Sequence, residues 1–142
     1  MWQRIQTLYL SISAALVLAL FFGNACTVPG AEGPESISYL SFAKPYFTII
    51  LSILAAISAL ALVTFKLRIL QMRLSVLAAL VALGIQIWLV VMYFELPEGA
   101  AVKFTAIFPL VITILDFLAA RGCFQDQLIV ESASRLRSAR RK

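Results

Sequence analysis

The chain has 142 residues, 62% of them hydrophobic and 13% charged, with a mean hydropathy of +0.96 and a formal net charge of +5. A soluble domain is about 45–50% apolar and about 25% charged, so neither a water-soluble globule nor a disordered chain fits this composition. Histidine is absent and there are only two cysteines, which removes the commonest general base and leaves too few thiols for a zinc or iron–sulfur site; no cofactor is expected.

Four windows are long and apolar enough to cross a bilayer, which takes about 20 mostly apolar helical residues. They run over about 8–26, 45–65, 74–94 and 104–120, and only the last holds a charge, Asp116. Membrane strands fit poorly, because a barrel needs alternating segments of about 10 residues rather than unbroken apolar runs. The links at 66–73 and 95–103 are short, and the longest, 27–44, carries Pro29, Gly30, Gly33 and Pro34. Short links make consecutive helices antiparallel neighbours. The expectation is an all-α, single-domain, up-down-up-down bundle of four transmembrane helices.

Within the first window, Arg4, the apolar run and Gly23-Asn24-Ala25-Cys26 also resemble a secretory or lipoprotein signal. The run is long for a signal, and Gly23 stands where a lipoprotein signal usually has leucine. The first span is therefore read as retained. Small residues at four-residue steps then predict its packing stripe: Ser11, Ala15, Ala19 and Gly23. The second and third spans offer Ser52/Ala56 with Ala55/Ala59, and Ser75/Ala79 with Ala78/Ala82. The fourth has Ala106, Thr113 and Ala120 at seven-residue steps, and its Pro109 predicts a bend that frees the carbonyl of Thr105. The first three spans are expected to make the tighter contacts. Trp2 and Tyr9 at one end, and Tyr39, Tyr46, Trp88 and Tyr93 at the other, fit interfacial aromatic belts.

Orientation follows from charge. Ten of the twelve basic residues (Arg4; Lys66, Arg68, Arg73; Arg121, Arg135, Arg137, Arg140, Arg141, Lys142) fall on one side, and only Lys44 and Lys103 on the other, with Glu32, Glu35, Glu95 and Glu98. Positive loops stay inside, so both termini are expected in the cytoplasm of a bacterial inner-membrane protein. Cys26 and Cys123 then lie on opposite sides, too far apart for a disulfide.

Asp116 is the one ionisable residue inside a span, by default a functional position. Taking Ala120 as the helix end puts it about 6 Å from the inner surface, and puts Gln86 about 18 Å deep, too far apart for a relay. The expected arrangement is an ion pair or hydrogen bond between Asp116 and Arg73, Lys66 or Arg4; the sharper alternative is a proton or cation site. Gln86 is expected to bridge helices. No G-x-S-x-G, H-E-x-x-H, P-loop or C-x-x-C pattern occurs, so no enzyme is expected.

The segment 122–142 reads as a short amphipathic helix. Phe124, Leu128, Ile129, Ala133 and Leu136 form one stripe, Glu131 and Arg135 an i,i+4 pair, and a basic run ends it. Each Lys or Arg beside an anionic leaflet contributes about 1 kcal/mol, so anionic head groups or a membrane-protein partner fit. The basic residues lack interleaved aromatics, which argues against a specific nucleic acid. Homo-oligomerisation is left open.

The opening Met1-Trp2-Gln3-Arg4-Ile5-Gln6-Thr7 resembles the M-x-Q-R-x-Q-T start of a bacteroidete inner-membrane family catalogued as domain of unknown function 4293. The loop Arg68-Ile69-Leu70-Gln71-Met72-Arg73-Leu74 and the tail Leu118-Ala119-Ala120-Arg121 … Leu128 to Arg137 are similar to its R-x-L-Q-x-R-L and L-A-x-R…L-V-x-S-x-x-R-x-R patterns. The chain departs at Phe124-Gln125-Asp126-Gln127, where the family has basic then acidic residues. The resemblance implies four spans and no established activity. Since all three blocks fall at the inner side, Arg4, Gln6, Gln71, Arg73, Arg121 and Arg135, with Arg137 beyond them, are expected to form one polar contact surface. The leading expectation is a non-enzymatic accessory or assembly subunit acting through that face. The alternative is a small transporter or channel using Asp116 and the Pro109 bend.

Overall fold

In the computed structural model of the chain, residues 2–140 are described apart from 43 and 65, and side chains from residue 5 onward apart from 42–44 and 65. Among the described residues the order is α1 (Trp2–Phe22), β1 (Asn24–Gly30), β2 (Gly33–Ser38), α2 (Tyr39–Phe42), α3 (Lys44–Val63), α4 (Arg68–Phe94), β3 (Ala101–Val102), a 3-10 turn (Phe104–Ile107) and α5 (Phe108–Ala139). The helices α1, α3, α4 and α5 are each long and apolar enough to cross a membrane. Their outward faces are apolar as well: Leu8, Leu18, Ile53, Leu60, Leu80, Ile87, Ile114 and Phe117 are all exposed. Helices that are apolar all round need lipid on the outside.

One period organises the interior. The buried positions are Gln6, Leu10, Ser13, Val17 and Leu20 on α1, and Phe47, Leu51, Leu54, Ser58 and Ala61 on α3. On α4 they include Gln71, Ser75, Ala78, Ala82, Ile85 and Leu89, and on α5 Pro109, Ile112, Asp116, Ala119 and Cys123. Each series steps by alternating threes and fours, the seven-residue seam of knobs-into-holes packing. The seam corrects the expected small-residue stripes. Ser11, Ala15 and Ala19 on α1, and Ser52, Ala56 and Ala59 on α3, are exposed, whereas the α4 set is buried. Nor is the fourth span the looser one: α5 packs most broadly of all, against α4 and α1.

The loops hold a small three-stranded antiparallel sheet of order β2-β1-β3, which an all-α expectation omits. β1 and β2 form a hairpin pairing Thr27 with Ser36 and Gly30 with Gly33. Gly33 takes a φ of +134°, open to glycine at little cost. β3 pairs Cys26 with Val102 and Thr27 with Ala101, tying the link between α4 and α5 to the link between α1 and α3. Entry into β1 is also why α1 stops at Phe22 rather than running to Cys26.

Two expectations about the fourth span are corrected. Pro109 does not bend a helix; it occupies the first turn of α5, immediately after the 3-10 turn. A first-turn proline gives up only a donor that has no intrahelical acceptor, and its fixed φ suits the helix. The helix also does not end at Ala120 to give way to a separate amphipathic helix. It continues to Ala139, about 48 Å in all, because no proline or left-handed cap interrupts it.

Candidate functional site

Three polar groupings lie along the bundle axis. The first is where α1, α4 and α5 meet at the end where α4 begins. Gln6 Nε2 donates to Asp126 Oδ2 at 2.9 Å, and the Cys123 thiol faces Gln6 Oε1 at 3.4 Å and Gln71 Oε1 at 3.7 Å. Gln6 and Gln71 are 5% and 3% exposed. Gln71 Nε2 has no partner, and Ser75 returns its hydroxyl to the Gln71 carbonyl. The packing is close enough that α5 presents Gly122, not a side chain, to Gln6.

Of the residues expected on one contact surface, the structure thus brings Gln6 and Gln71 together, but inside the bundle. Arg73, Arg121, Arg135 and Arg137 are exposed, and none of them takes part in those hydrogen bonds. The side chain of Arg4 lies outside the described residues. Cys123 and Asp126 were not in the expected set. Continuing the seven-residue seam past Asp116 reaches Cys123, and that signal would have found it.

Beside the cluster, an open groove of about 490 Å³ runs between the start of α4, with the two residues before it, and α5; the expected 66–73 link is thus mostly helix, because α4 begins at Arg68. Lys66, Arg68 and Arg73 supply its charge, Leu67, Ile69, Leu70 and Val130 its apolar lining, and Gln127 one amide. Beyond the groove α5 is exposed on every side, with Phe124 and Leu128 each half exposed and Glu131 bonded to Arg135 at 2.6 Å.

The second grouping is at mid-length. Asp116 is completely buried, and neither of its oxygens makes a hydrogen bond of ordinary geometry. Ser13, near the middle of α1, is its interacting neighbour. Because α5 continues past Ala120, Asp116 is not one turn from a helix end as expected, and Lys66 and Arg73 are exposed at the end of the bundle rather than beside it. Ser58 of α3 is buried with its hydroxyl unpartnered. Gln86, expected to bridge helices, has a buried Oε1 without a partner.

The third grouping closes the sheet end. Tyr39 is fully buried, stacks on Phe47 at 6.0 Å and donates to Thr105 Oγ1 at 3.0 Å; Thr105 in turn donates to the Asn24 carbonyl at 2.8 Å. Cys26 is buried in β1, and burial pushes its thiol up from the ordinary value while Lys103 pulls the other way. Both cysteines are free. Among the described residues, no three His, Cys, Asp or Glu side chains gather in a way that could hold a metal.

No curated protein and no solved structure matches the chain. A family model described as "Domain of unknown function (DUF4293)" matches residues 2–136, nearly the whole length. A polar interior strung along four apolar helices, with its basic groove at one end, is accordingly the architecture of a chain that belongs to that domain-of-unknown-function family.

Proposed function

We propose that this is a non-enzymatic protein of a bacterial inner membrane, with both termini in the cytoplasm, that acts as an accessory or assembly subunit through its basic end. The observation that carries the reading is the groove between the start of α4 and α5, whose lining combines three cations with apolar side chains. That combination suits a phospholipid, whose anionic head needs cations and whose chains need apolar walls, and basic pockets between spans on the cytoplasmic side bind such head groups. The exposed extension of α5, with Arg135, Arg137 and Arg140, supports a second contact, with a membrane-protein partner.

The test is purification of the full chain and of a chain ending at Val130, in mild detergent, followed by native mass spectrometry. The reading expects anionic lipid retained by both, lost when Arg68 and Arg73 become alanine, and a protein partner retained only by the full chain. Recovery of the protein alone, without lipid or partner, in every case counts against it.

A second reading, a small transporter, is favoured by one observation: Asp116 is buried at mid-length. It expects ion flux in proteoliposomes that Asp116→Asn abolishes.

A further inference from the structure

Ser13, Ser58 and Asp116 occupy the same layer of the bundle. On one side of them, Leu10, Ala61 and Ala119 form an apolar cluster. On the other, Val17, Leu54 and Ile112 belong to the main apolar core. On α1, α3 and α5 alike, the polar residue lies three positions from the first cluster and four from the second. The fourth helix, α4, contributes the fully buried small residues Ala78 and Ala79 to this stretch of the interior. Four buried oxygens on three helices, both of Asp116 and the hydroxyls of Ser13 and Ser58, make no hydrogen bond of ordinary geometry, and of the two serines Ser13 is the one that interacts with Asp116.

No charge faces this layer from any helix packed around it. None lies on α1 after Arg4, on α3 between Lys44 and its end, or on α4 after Arg73. On α5 the next charges are Arg121, which is exposed, and Asp126, which is bonded to Gln6. A buried carboxylate without a cation is strongly disfavoured in a medium that cannot hydrate it.

We propose that Ser13, Ser58 and Asp116 form an occluded proton-binding site at the middle of the membrane. The ligand is a proton on the Asp116 carboxyl. As a neutral acid, Asp116 shares a hydrogen bond with the Ser13 hydroxyl, its interacting neighbour, while Ser58 adds a further hydroxyl at the same depth. The choice of a proton over a metal cation follows from the donor count. Hard cations take six or more oxygens; the layer supplies four from its side chains, and its remaining wall is alanine. Apolar layers seal it on both sides, so the proton leaves only when the helices part and water enters. Protonation and closure of the bundle are then one equilibrium.

The test uses the full chain with aspartate isotope-labelled at the side-chain carboxyl carbon, in detergent, read by infrared spectroscopy at neutral pH. The chain has only two aspartates, Asp116 and Asp126. The expected result is a label-sensitive carboxylic-acid band that survives Asp126→Asn and is lost in Asp116→Asn. It shifts in Ser13→Ala, and is unchanged when sodium chloride replaces choline chloride. Carboxylate bands alone from both aspartates would overturn the proposal. So would an acid band that Ser13→Ala does not move, or one that sodium removes in favour of carboxylate. If Asp116→Asn does not fold, the comparison of wild type with Asp126→Asn still decides whether Asp116 carries the proton.

Discussion

A Cβ placed on Gly122 would lie 2.9 Å from Cγ and 3.1 Å from Nε2 of Gln6. The glycine is therefore the space into which the Gln6 amide fits on its way to Asp126. Alanine is the better helix former by about 1 kcal/mol, so on propensity alone Gly122→Ala should stabilise α5. Its methyl group instead pushes the amide off Asp126, and a hydrogen bond to a charged group is worth about 1.5–3 kcal/mol. The expected net loss is on the order of 1 kcal/mol, read as a lower unfolding midpoint in detergent. Gly84 supplies the control, since nothing lies within 4 Å of a Cβ built there; Gly84→Ala should leave the midpoint unchanged or raise it. Equal responses at the two sites would remove the packing argument.

The two buried glutamines should respond differently to the same substitution. Gln6→Leu strips Asp126 of its 2.9 Å partner and should cost about 1.5–3 kcal/mol. Gln71 carries an orphaned Nε2 and accepts only a thiol contact of 3.7 Å, so Gln71→Leu removes an amide that is already half unsatisfied. Its effect should stay within about 1 kcal/mol in either direction. Urea or thermal unfolding of both variants in one detergent checks the contrast, which a larger loss at Gln71 would contradict.

The four spans were legible because the signal is thermodynamic: runs of about 20 apolar residues have one stable solution in a bilayer. The contact faces were misread on α1 and α3. Small residues at four-residue steps suggested one stripe there, while the buried series Gln6-Leu10-Ser13-Val17-Leu20 follows the seven-residue seam. In chains apolar on every face, hydrophobicity cannot tell inside from outside, and the buried polar residues are the better guide. Gln6, Ser13, Ser58, Gln71, Ser75, Thr113 and Asp116 are all on interior faces. The sheet escaped notice because its strands carry Pro29 and Pro34, and β3 has only two residues. Asp116 stands out in the sequence as the charge inside a span, but its depth was not legible, since nothing local to Ala120 or Arg121 shows that α5 continues.

At the sheet end, Thr105 is the middle of a relay from the Tyr39 hydroxyl to the Asn24 carbonyl. Tyr39→Phe removes one bond and leaves Thr105 still donating, for a cost of about 1 kcal/mol. Thr105→Val removes both and leaves the buried Tyr39 hydroxyl only its neighbour Tyr93, so it should cost more. Because the Tyr39–Thr105 bond is lost in either single variant, the double variant should cost less than the sum of the two. A double-mutant cycle on thermal midpoints measures this; full additivity would mean that the relay carries no coupling.

Cys26 lies on β1 with its partner Val102 across the ladder and Lys103 next in sequence. Burial raises its thiol above the usual value, and the Lys103 ammonium offsets part of that rise. Ionisation is thus harder in the folded chain than in the unfolded one, and the linkage has a definite sign. The stability contributed by the neutral thiol is fully present below the ordinary thiol value, about 8.5. It is lost as pH rises through the raised one, because the unfolded chain then sheds a proton that the folded chain still holds. Alkylation of Cys26 in the Cys123→Ala protein, followed by mass spectrometry against pH, should show its half-rise above the ordinary thiol value. Lys103→Met removes the lowering charge and should move that half-rise higher still. A half-rise at the ordinary value, or one that falls in Lys103→Met, would mean that Cys26 is open to solvent and that β3 does not cover β1.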